Sequence, residues 1–521
     1  MSLAVWLDSY EHWIISICIV LSAISRAYPK KVIKQDPTDK WSHILDANIW
    51  RVKKKIPTTT GRFYPPDDFS YPYGIAYFLK LSLNNINKFV WLNIVVNIAE
   101  VFSIFLLCYF YVNQYTAILY LMLASIMPSI LSPWYGLYGV NARNIGAILC
   151  TMYAISLFIG EHYSQSLLFI PLQITVILIS IYFSQFAVQS IIFTSTFTAF
   201  WFTSFTPLLP IFLTIVLVKS LSIKSIEGIV RGHYQHVKFY FKFLQYHATA
   251  TIHRNKSLHQ FFYELFRQTD LKKFIISFPF IRLIIFYPVI PIFIGVISTY
   301  GQVGLLYEYA LGLVLMNILI CIIIPLKGLR FLGEADRYFM FGSNHIILLS
   351  ISEVLYFSEN ISVVIILMAF FLVWYLLLLR VRSEYNIDSE FEKDERVVLT
   401  FLKGMSSGDG NVLCVPTNIS DKLAVNLENK FVGIHTNVNP NENYWQYYYD
   451  LYSRNLYPYP DLDNATLLKN LNIDLVIISK KFISTSYLKS NGYPKVMNLD
   501  PEGYSKILEN ESYIVLQRTV F

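Results

Sequence analysis

From Ser166 to Val218 the chain runs without a single charged side chain, and most of its residues are apolar. Such a stretch cannot be left in water. At about 20 residues per crossing it holds two or three membrane spans. Shorter runs of the same kind are Trp13 to Ile24, Val90 to Val112, Tyr115 to Ser132, Asn144 to Gly160, Leu283 to Ile297, Ala310 to Leu326, Phe341 to Phe357 and Ile361 to Leu379. Hydrophobic residues make up 55% of the 521 and charged residues 15%, more apolar surface than a soluble fold of this length can hide. The first run follows Asp8 and Glu11 rather than basic residues, and no small-residue cleavage site comes after it, so it reads as a retained span.

Charge decides how often the long run crosses. Lys and Arg concentrate at Lys30 to Lys88, Lys219 to Lys273, Lys327 to Arg337 and the Arg380/Arg382 pair. All four fall on one side only if the run crosses three times, with Ser184, Gln185, Gln189 and Pro207 marking the turns. One-sided charge is the usual outcome of charge-dependent insertion, which gives about eleven spans. The fold class expected is therefore an α-helical polytopic membrane protein over residues 1–380, with long loops at 29–89 and 219–273. A soluble C-terminal α/β domain follows over 381–521. That tail carries strand-like runs at Asn411 to Val415, Phe431 to His435, Leu475 to Ser479 and Tyr513 to Arg518, separated by helix-capable stretches. Four of the five cysteines lie in apolar runs, and no disulfide framework or zinc spacing is present.

Loops of about 60 and 55 residues are uncommon as mere connectors and their length suggests function, loose tethers with solvated charge being the plainer alternative. In the first, Gln35-Asp36-Pro37-Thr38-Asp39-Lys40-Trp41-Ser42-His43 places an acid four residues before an imidazole. If Asp39 opens a helix, both side chains stand on one face and can meet one substrate. A carboxylate partly shielded from water at a membrane surface can act as general base; equally, Asp39 can be the helix cap and no more. Tyr71-Pro72-Tyr73-Gly74 leads rigidly back toward the second span. Before the tenth span, Gly333-Glu334-Ala335-Asp336-Arg337-Tyr338 gathers charge at the membrane edge, where Arg337 could grip a phosphate with an acid fixing its orientation. A helix-end ion pair with a snorkelling arginine is the plainer alternative. His233, His236, His247, His253 and His259 are scattered through the second loop without metal spacing and read as surface contacts.

Asp39 with His43 in a long first loop, the Ile56-Pro57 and Tyr71-Pro72-Tyr73 that follow, and the Gly-Glu-x-x-Arg-Tyr at 333–338 together resemble the GT-C superfamily. These are integral membrane glycosyltransferases that use polyprenyl-phosphate-linked sugars. The resemblance covers roughly residues 10 to 380 and is closest to uncharacterised prokaryotic members. It implies that Asp39 is the catalytic base and that the site opens on the extracytoplasmic face. It also implies that cations such as Arg337, Arg143 or basic residues of the second loop assist departure of the lipid phosphate. Substrate contacts are expected from His43, Asp36, Arg143, Glu334, Arg337, Tyr338 and Tyr71. The donor would be a lipid-linked sugar, the acceptor a lipid, glycan or protein, and no nucleic acid is expected as a partner.

Two departures matter. Oligosaccharyltransferases of this superfamily hold a divalent metal through acids in the first two outer loops and carry a Trp-Trp-Asp-Tyr-Gly motif. Here Pro133 to Arg143 contains no acid, and Trp134-Tyr135-Gly136 lacks the aspartate. A metal-independent transferase is therefore expected in preference to an oligosaccharyltransferase, and inversion at the anomeric carbon is what the resemblance implies. Glu353, in Ser350-Ile351-Ser352-Glu353, falls inside a span and is expected to pack or pair near a helix end. The second departure concerns orientation, because an outward placement of the basic loops and tail runs against the positive-inside rule. Anionic lipid carriers bound by those loops, or an inverted membrane potential, would reconcile the two. A transporter or flippase of an anionic lipid-linked substrate is the rival from a different class, although the sequence shows no repeated half.

Overall fold

Backbone amides and carbonyls find no water inside a bilayer, so apolar runs of this length fold as helices that satisfy themselves. The computed structural model of the chain shows them so, and describes residues 3–33, 39–54, 61–65, 67–68, 72–82, 85–132, 137–162, 166–244, 255–265, 274–275, 277–301, 304, 306–326, 328–383, 389–405, 410–433, 439–440, 442–452, 457–483 and 500–519. Helix α1 (Leu3–Ala27) opens the chain. The first long loop carries α2 (Asp39–Lys53), the two-residue strands β1 (Phe63–Tyr64) and β2 (Asp67–Asp68), and α3 (Gly74–Leu81). Next come α4 (Ile86–Tyr111), α5 (Gln114–Ser125), α6 (Arg143–His162), α7 (Ser166–Phe183), α8 (Gln185–Trp201) and α9 (Leu209–Ser220). Helix α10 (Lys224–Phe239) lies in the second long loop. The helical part ends with α11 (Pro279–Phe286), α12 (Val289–Tyr300), α13 (Leu306–Ile323), the single turn α14 (Arg337–Met340), α15 (Asn344–Ser358) and α16 (Ile361–Ser383).

The long apolar run thus divides into three helices. Ser184 makes the first break by capping α8, its hydroxyl accepting the Ala187 N–H at 3.2 Å. Pro207, which has no N–H to give to a helix, lies in the second break. Between α11 and α12 the axis bends by 72° just before Val289, where Pro288 interrupts the ladder. Among the described residues six helices are long and apolar enough to cross a bilayer, or seven if the bent pair is one span. Three further apolar helices are shorter, at Leu167–Phe183, Thr206–Ser220 and Asn344–Ser358. Length and composition alone therefore support fewer than the eleven spans expected from hydropathy and charge. Helix α15 gives a physical reason: every residue from Asn344 to Leu355 is buried, so protein rather than lipid surrounds it and it need not match the full bilayer thickness. Near its far end Glu353 accepts the Leu306 N–H at 2.9 Å, filling the helix-end role its position suggests by capping α13.

Polar groups inside the bundle are matched in the same economical way. Arg26, fully buried at the end of α1, donates to Asn97 Oδ1 at 2.6 Å and to the Ala124 and Ser125 carbonyls at 3.1 and 3.2 Å. Those two carbonyls belong to the last turn of α5, where the helix itself leaves acceptors over and a cation is favoured.

The tail comprises α17 (Ser389–Gly404), β3 (Asn411–Val415), α18 (Ser420–Asn426), β4 (Phe431–Val432), β5 (Asn439–Pro440), α19 (Trp445–Leu451), α20 (Ala465–Asn470), β6 (Ile473–Ser479), β7 (Tyr504–Glu509) and β8 (Tyr513–Arg518). Its sheet has the order β1-β4-β3-β6-β8-β7, parallel from β1 to β6 and antiparallel beyond. The central strands β3 and β6 are apolar and almost wholly buried, as parallel strands covered on both faces must be. One edge of this sheet comes from far away: β1 of the first loop pairs with β4, Phe431 N–H donating to the Arg62 carbonyl at 2.8 Å, while β2 pairs with β5. The second loop joins the same layer, since Phe239 and Phe243 are buried against Trp445, Tyr448 and Tyr449.

Phe239 is 1% exposed, and cutting it to alanine removes a buried ring for which no neighbour can substitute. Phe239→Ala should cost about 3–5 kcal/mol of thermal or denaturant stability. It should also make the tail more sensitive to limited proteolysis.

Candidate functional site

Where the helical bundle meets this polar layer, a cavity of ≈ 140 Å³ is enclosed by three elements. Its floor is the first turn of α8, with Gln185, Phe186 and Gln189. Its roof is α10 and the residues after it, with His236 and Tyr240. Its third wall is the segment before α14, with Gly333, Glu334 and Arg337. Ser184 fixes where α8 begins, and so where Gln185, Phe186 and Gln189 stand along the cavity.

Arg337 is ion-paired to Glu334, and its guanidinium lies 5.1 Å from the centre of the Phe186 ring. The segment carrying them is held from three directions. Arg282 of α11 grips Asp336 through both nitrogens, Nε to Oδ2 at 3.1 Å and an Nη to Oδ1 at 2.6 Å, and both side chains are wholly buried. Asn255 donates its amide to the Gly333 carbonyl at 2.9 Å. The Tyr338 hydroxyl lies 2.8 Å from the Leu332 carbonyl and 2.9 Å from Gln189 Oε1, either of which can accept its proton. Gly333 has φ +92°, and a Cβ there would come within 3.0 Å of Phe186, so only glycine lets the segment turn this close to α8.

Burial, reinforced by the neighbouring His236, pushes the His233 imidazole down to about 4. A neutral His233 can accept a proton from the Gln189 amide, whose nitrogen lies 3.4 Å from its Nε2. Gln189 is thereby oriented from both ends. A guanidinium and an oriented side-chain amide beside aromatic rings are groups able to bind a phosphate.

Of the residues singled out in the sequence, Glu334 and Arg337 meet at this cavity, and Tyr338 stands behind its wall. Asp39 is the first residue of α2, so the helix start supposed for it is present. Its side chain, Asp36 and Tyr71 lie outside the described residues. His43 is 3% exposed, with Ser42 and Asp46 buried beside it, so this polar set faces the protein. Arg143 opens α6, half-buried, its N–H donating to Asn141 Oδ1 at 3.0 Å. One turn later Gly146 packs on Ser184, which puts this helix end beside the start of α8. Helix α2 reaches the same region through rings: Trp50 to Tyr73 and Tyr73 to Tyr182 are each 5.5 Å apart, and the Tyr182 hydroxyl bonds Ser225 Oγ at 2.8 Å.

Sequence reasoning missed His236, Tyr240 and the two glutamines. Gln185 and Gln189, four apart in an uncharged run, carry the available signal, although they read first as turn markers. Of the histidines expected at the surface, His259 is exposed, His247 and His253 lie outside the described residues, and the partly buried His236 and His233 instead supply a cavity wall and an acceptor for Gln189. Among the described residues no group of three or more His, Cys, Asp or Glu gathers to hold a metal.

Asp336→Asn leaves the Arg282 charge buried without its counter-ion and should destabilise the protein by about 3–5 kcal/mol. Replacing both partners, Arg282→Met with Asp336→Leu, should recover most of that loss. Thermal unfolding of the two variants in detergent checks both outcomes.

No family model matches the sequence, and comparison with curated proteins finds no match. Solved structures do match in fold. The oligosaccharyltransferase of Archaeoglobus fulgidus in its apo form aligns over 93% of this chain and 71% of its own, with TM-score 0.59 and 11% identity. The same enzyme, AglB, bound to an inhibitory peptide and a dolichol-phosphate, aligns over the same shares with TM-score 0.56 and 11% identity. At 11% identity what the chain shares with this archaeal oligosaccharyltransferase is its fold.

Proposed function

We propose that this protein is an integral membrane glycosyltransferase that moves a sugar from a polyprenyl-phosphate carrier to a hydroxyl or amine on a lipid, glycan or protein acceptor. The observation that carries the reading is the cavity at the bundle edge, where Arg337, the first turn of α8 and the oriented amide of Gln189 converge beside aromatic rings. A phosphate attached to a polyprenyl chain needs such a place, polar at one end and continuous with apolar helices at the other. The GT-C fold, and the dolichol-phosphate bound by its structural neighbour, support the same donor class.

In this reading the acceptor is deprotonated by Asp39 as it attacks the anomeric carbon from the face opposite the carrier. The bond from that carbon to the phosphate oxygen breaks, and the phosphate leaves as an anion held by Arg337. Arg143 and basic residues of the second loop add positive potential. A carrier phosphate already stable as an anion needs no proton from a general acid and no divalent metal. Eleven crossings, with α7, α8, α9, α15 and the bent α11–α12 pair each counted as one span beside the six long helices, would put both long loops and the tail on one side. We place that side outside the cell, where carrier-linked sugars are consumed.

The 72° break between α11 and α12, which carries the buried charge of Arg282, is the feature that favours a transporter or flippase instead. One experiment separates the two. Purified protein is given a radiolabelled polyprenyl-phosphate sugar and acceptor lysate, with wild type and Asp39→Asn compared. A transferase cleaves the sugar from its phosphate, Asp39→Asn lowers the rate by about 10²–10⁴, and chelation with EDTA leaves it unchanged. Movement of intact donor across vesicles without cleavage would establish the rival, and full activity in Asp39→Asn would remove the base.

A further inference from the structure

We infer that His236 is a second cationic ligand of the donor phosphate, taking up a proton as that anion enters the cavity and holding it together with Arg337. The inference rests on the phosphate-bearing donor proposed above. It starts from the charges on the cavity wall. Among the described lining residues the titratable side chains are His236, Tyr240, Glu334 and Arg337. Glu334 and Arg337 are already paired, so with a neutral imidazole the lining sums to zero. A phosphodiester brought into that setting carries one negative charge away from bulk water, and an uncompensated charge there is costly. An anion close to an imidazole favours its protonated form. His236 is the lining group able to supply the missing charge by gaining a proton.

Its placement is fixed before any ligand arrives. Helix α10 is tied to the bundle at its start by the Ser225–Tyr182 hydrogen bond at 2.8 Å. At its end Lys238 meets Glu442 of the tail at 2.8 Å, and Phe239 is sunk in the tail's aromatic core. The His236 ring packs on Tyr240 with centres 4.7 Å apart. Several of the groups near it are neutral or already engaged. On its own helix, His233 one turn earlier is held neutral by burial, and Lys238 is engaged by Glu442. The segment opposite supplies Glu334 and Arg337. The first turn of α8 contributes glutamines and a phenylalanine, which do not titrate.

Proton uptake on binding has a definite sign. Affinity is greatest at low pH, where the free imidazole is already charged. It falls as pH rises through the range in which imidazoles lose their proton, between pH 5 and 8, and levels off once the bound form has also lost it.

A suitable probe is methyl farnesyl phosphate, a diester whose single charge is constant over this range, titrated into purified full-length protein by calorimetry. Wild type should bind it about sixfold more tightly at pH 6 than at pH 8, as follows if the bound anion raises the imidazole's proton affinity about tenfold. Two buffers of different ionisation enthalpy should reveal proton uptake. His236→Gln and His236→Phe should both bind with the weaker affinity at all pH values, and Arg337→Gln should lose binding throughout. Dimethyl phosphate, which has the anion without the chain, should compete only at far higher concentration.

A pH profile unchanged in both His236 variants, or a flat profile in wild type, overturns the inference. Equal competition by dimethyl phosphate overturns the assignment of the anion to a lipid. The two readings fail separately. Sugar transfer with a profile indifferent to His236 leaves the transferase standing without this residue. Proton-linked diester binding without transfer leaves the residue and removes the transferase.

Discussion

Arg282 and Asp336 meet at 2.6 Å with no exposed surface on either side chain, and this buried pair decides where the cavity's charged wall can stand. Two charges withdrawn from water must be matched on the spot, or the structure carries an uncompensated ion. The guanidinium comes from a helix ending at a sharp bend, the carboxylate from the turn that starts α14. Matching them therefore fixes the backbone at position 336, and the next residue, Arg337, is directed into the cavity. Asn255 and Tyr338 hold the flanking backbone at Gly333 and Leu332. The cavity owes its shape to this bracing more than to the residues that line it.

A second constraint acts from the water side. Strand β1 completes a sheet whose other strands lie more than 340 residues later, and Phe239 with Phe243 plugs the core of the same unit. Both long loops are thereby parts of the tail as much as of the bundle. Helix α10 joins the two, tied to α7 at Ser225 and to the tail at Lys238. Displacing the tail would pull the cavity roof with it, and this gives a mechanical reason for loops of that length.

Much of this was open to reading in the residues themselves. Uncharged runs of sufficient length have few alternatives to helices, and Ser184 and Pro207 mark real breaks because a cap and a missing amide act locally. The tail strands at 411–415 and 513–518 fall where their runs of apolar residues place them, the first buried throughout and the second buried at Tyr513, Val515 and Leu516 before it reaches exposed Gln517. Asp39 at the start of α2, and Glu334 with Arg337 at the cavity, were legible for the same local reasons. Strands of two residues, such as β1 and β4, carry no periodicity and owe their existence to partners distant in sequence. His236 was hidden likewise: nothing in a basic loop tells which imidazole will be turned toward α8. Helix length misleads in the opposite direction, because α15 is enclosed by protein and its twelve consecutive buried residues need no lipid-matched span.

For the proposed reaction, the place of the cavity follows from the solubilities of the two substrates. A polyprenyl carrier stays in lipid, and an acceptor hydroxyl or amine arrives from water, so the bond between them can form only at the boundary. The structure builds that boundary from unlike materials. The floor belongs to α8, a helix whose continuation carries no charge, and the roof to α10, whose exposed side carries Glu227 and Arg231. Basic residues crowd this layer, with Lys30 over Trp91 and Lys80 over Trp50. Each of these ammonium groups sits against an indole face, which anchors a cation without neutralising it. Those charges still act on a field of anionic headgroups. A layer so charged is drawn toward a surface bearing lipid phosphates, and such a surface is where a carrier-linked sugar would be presented.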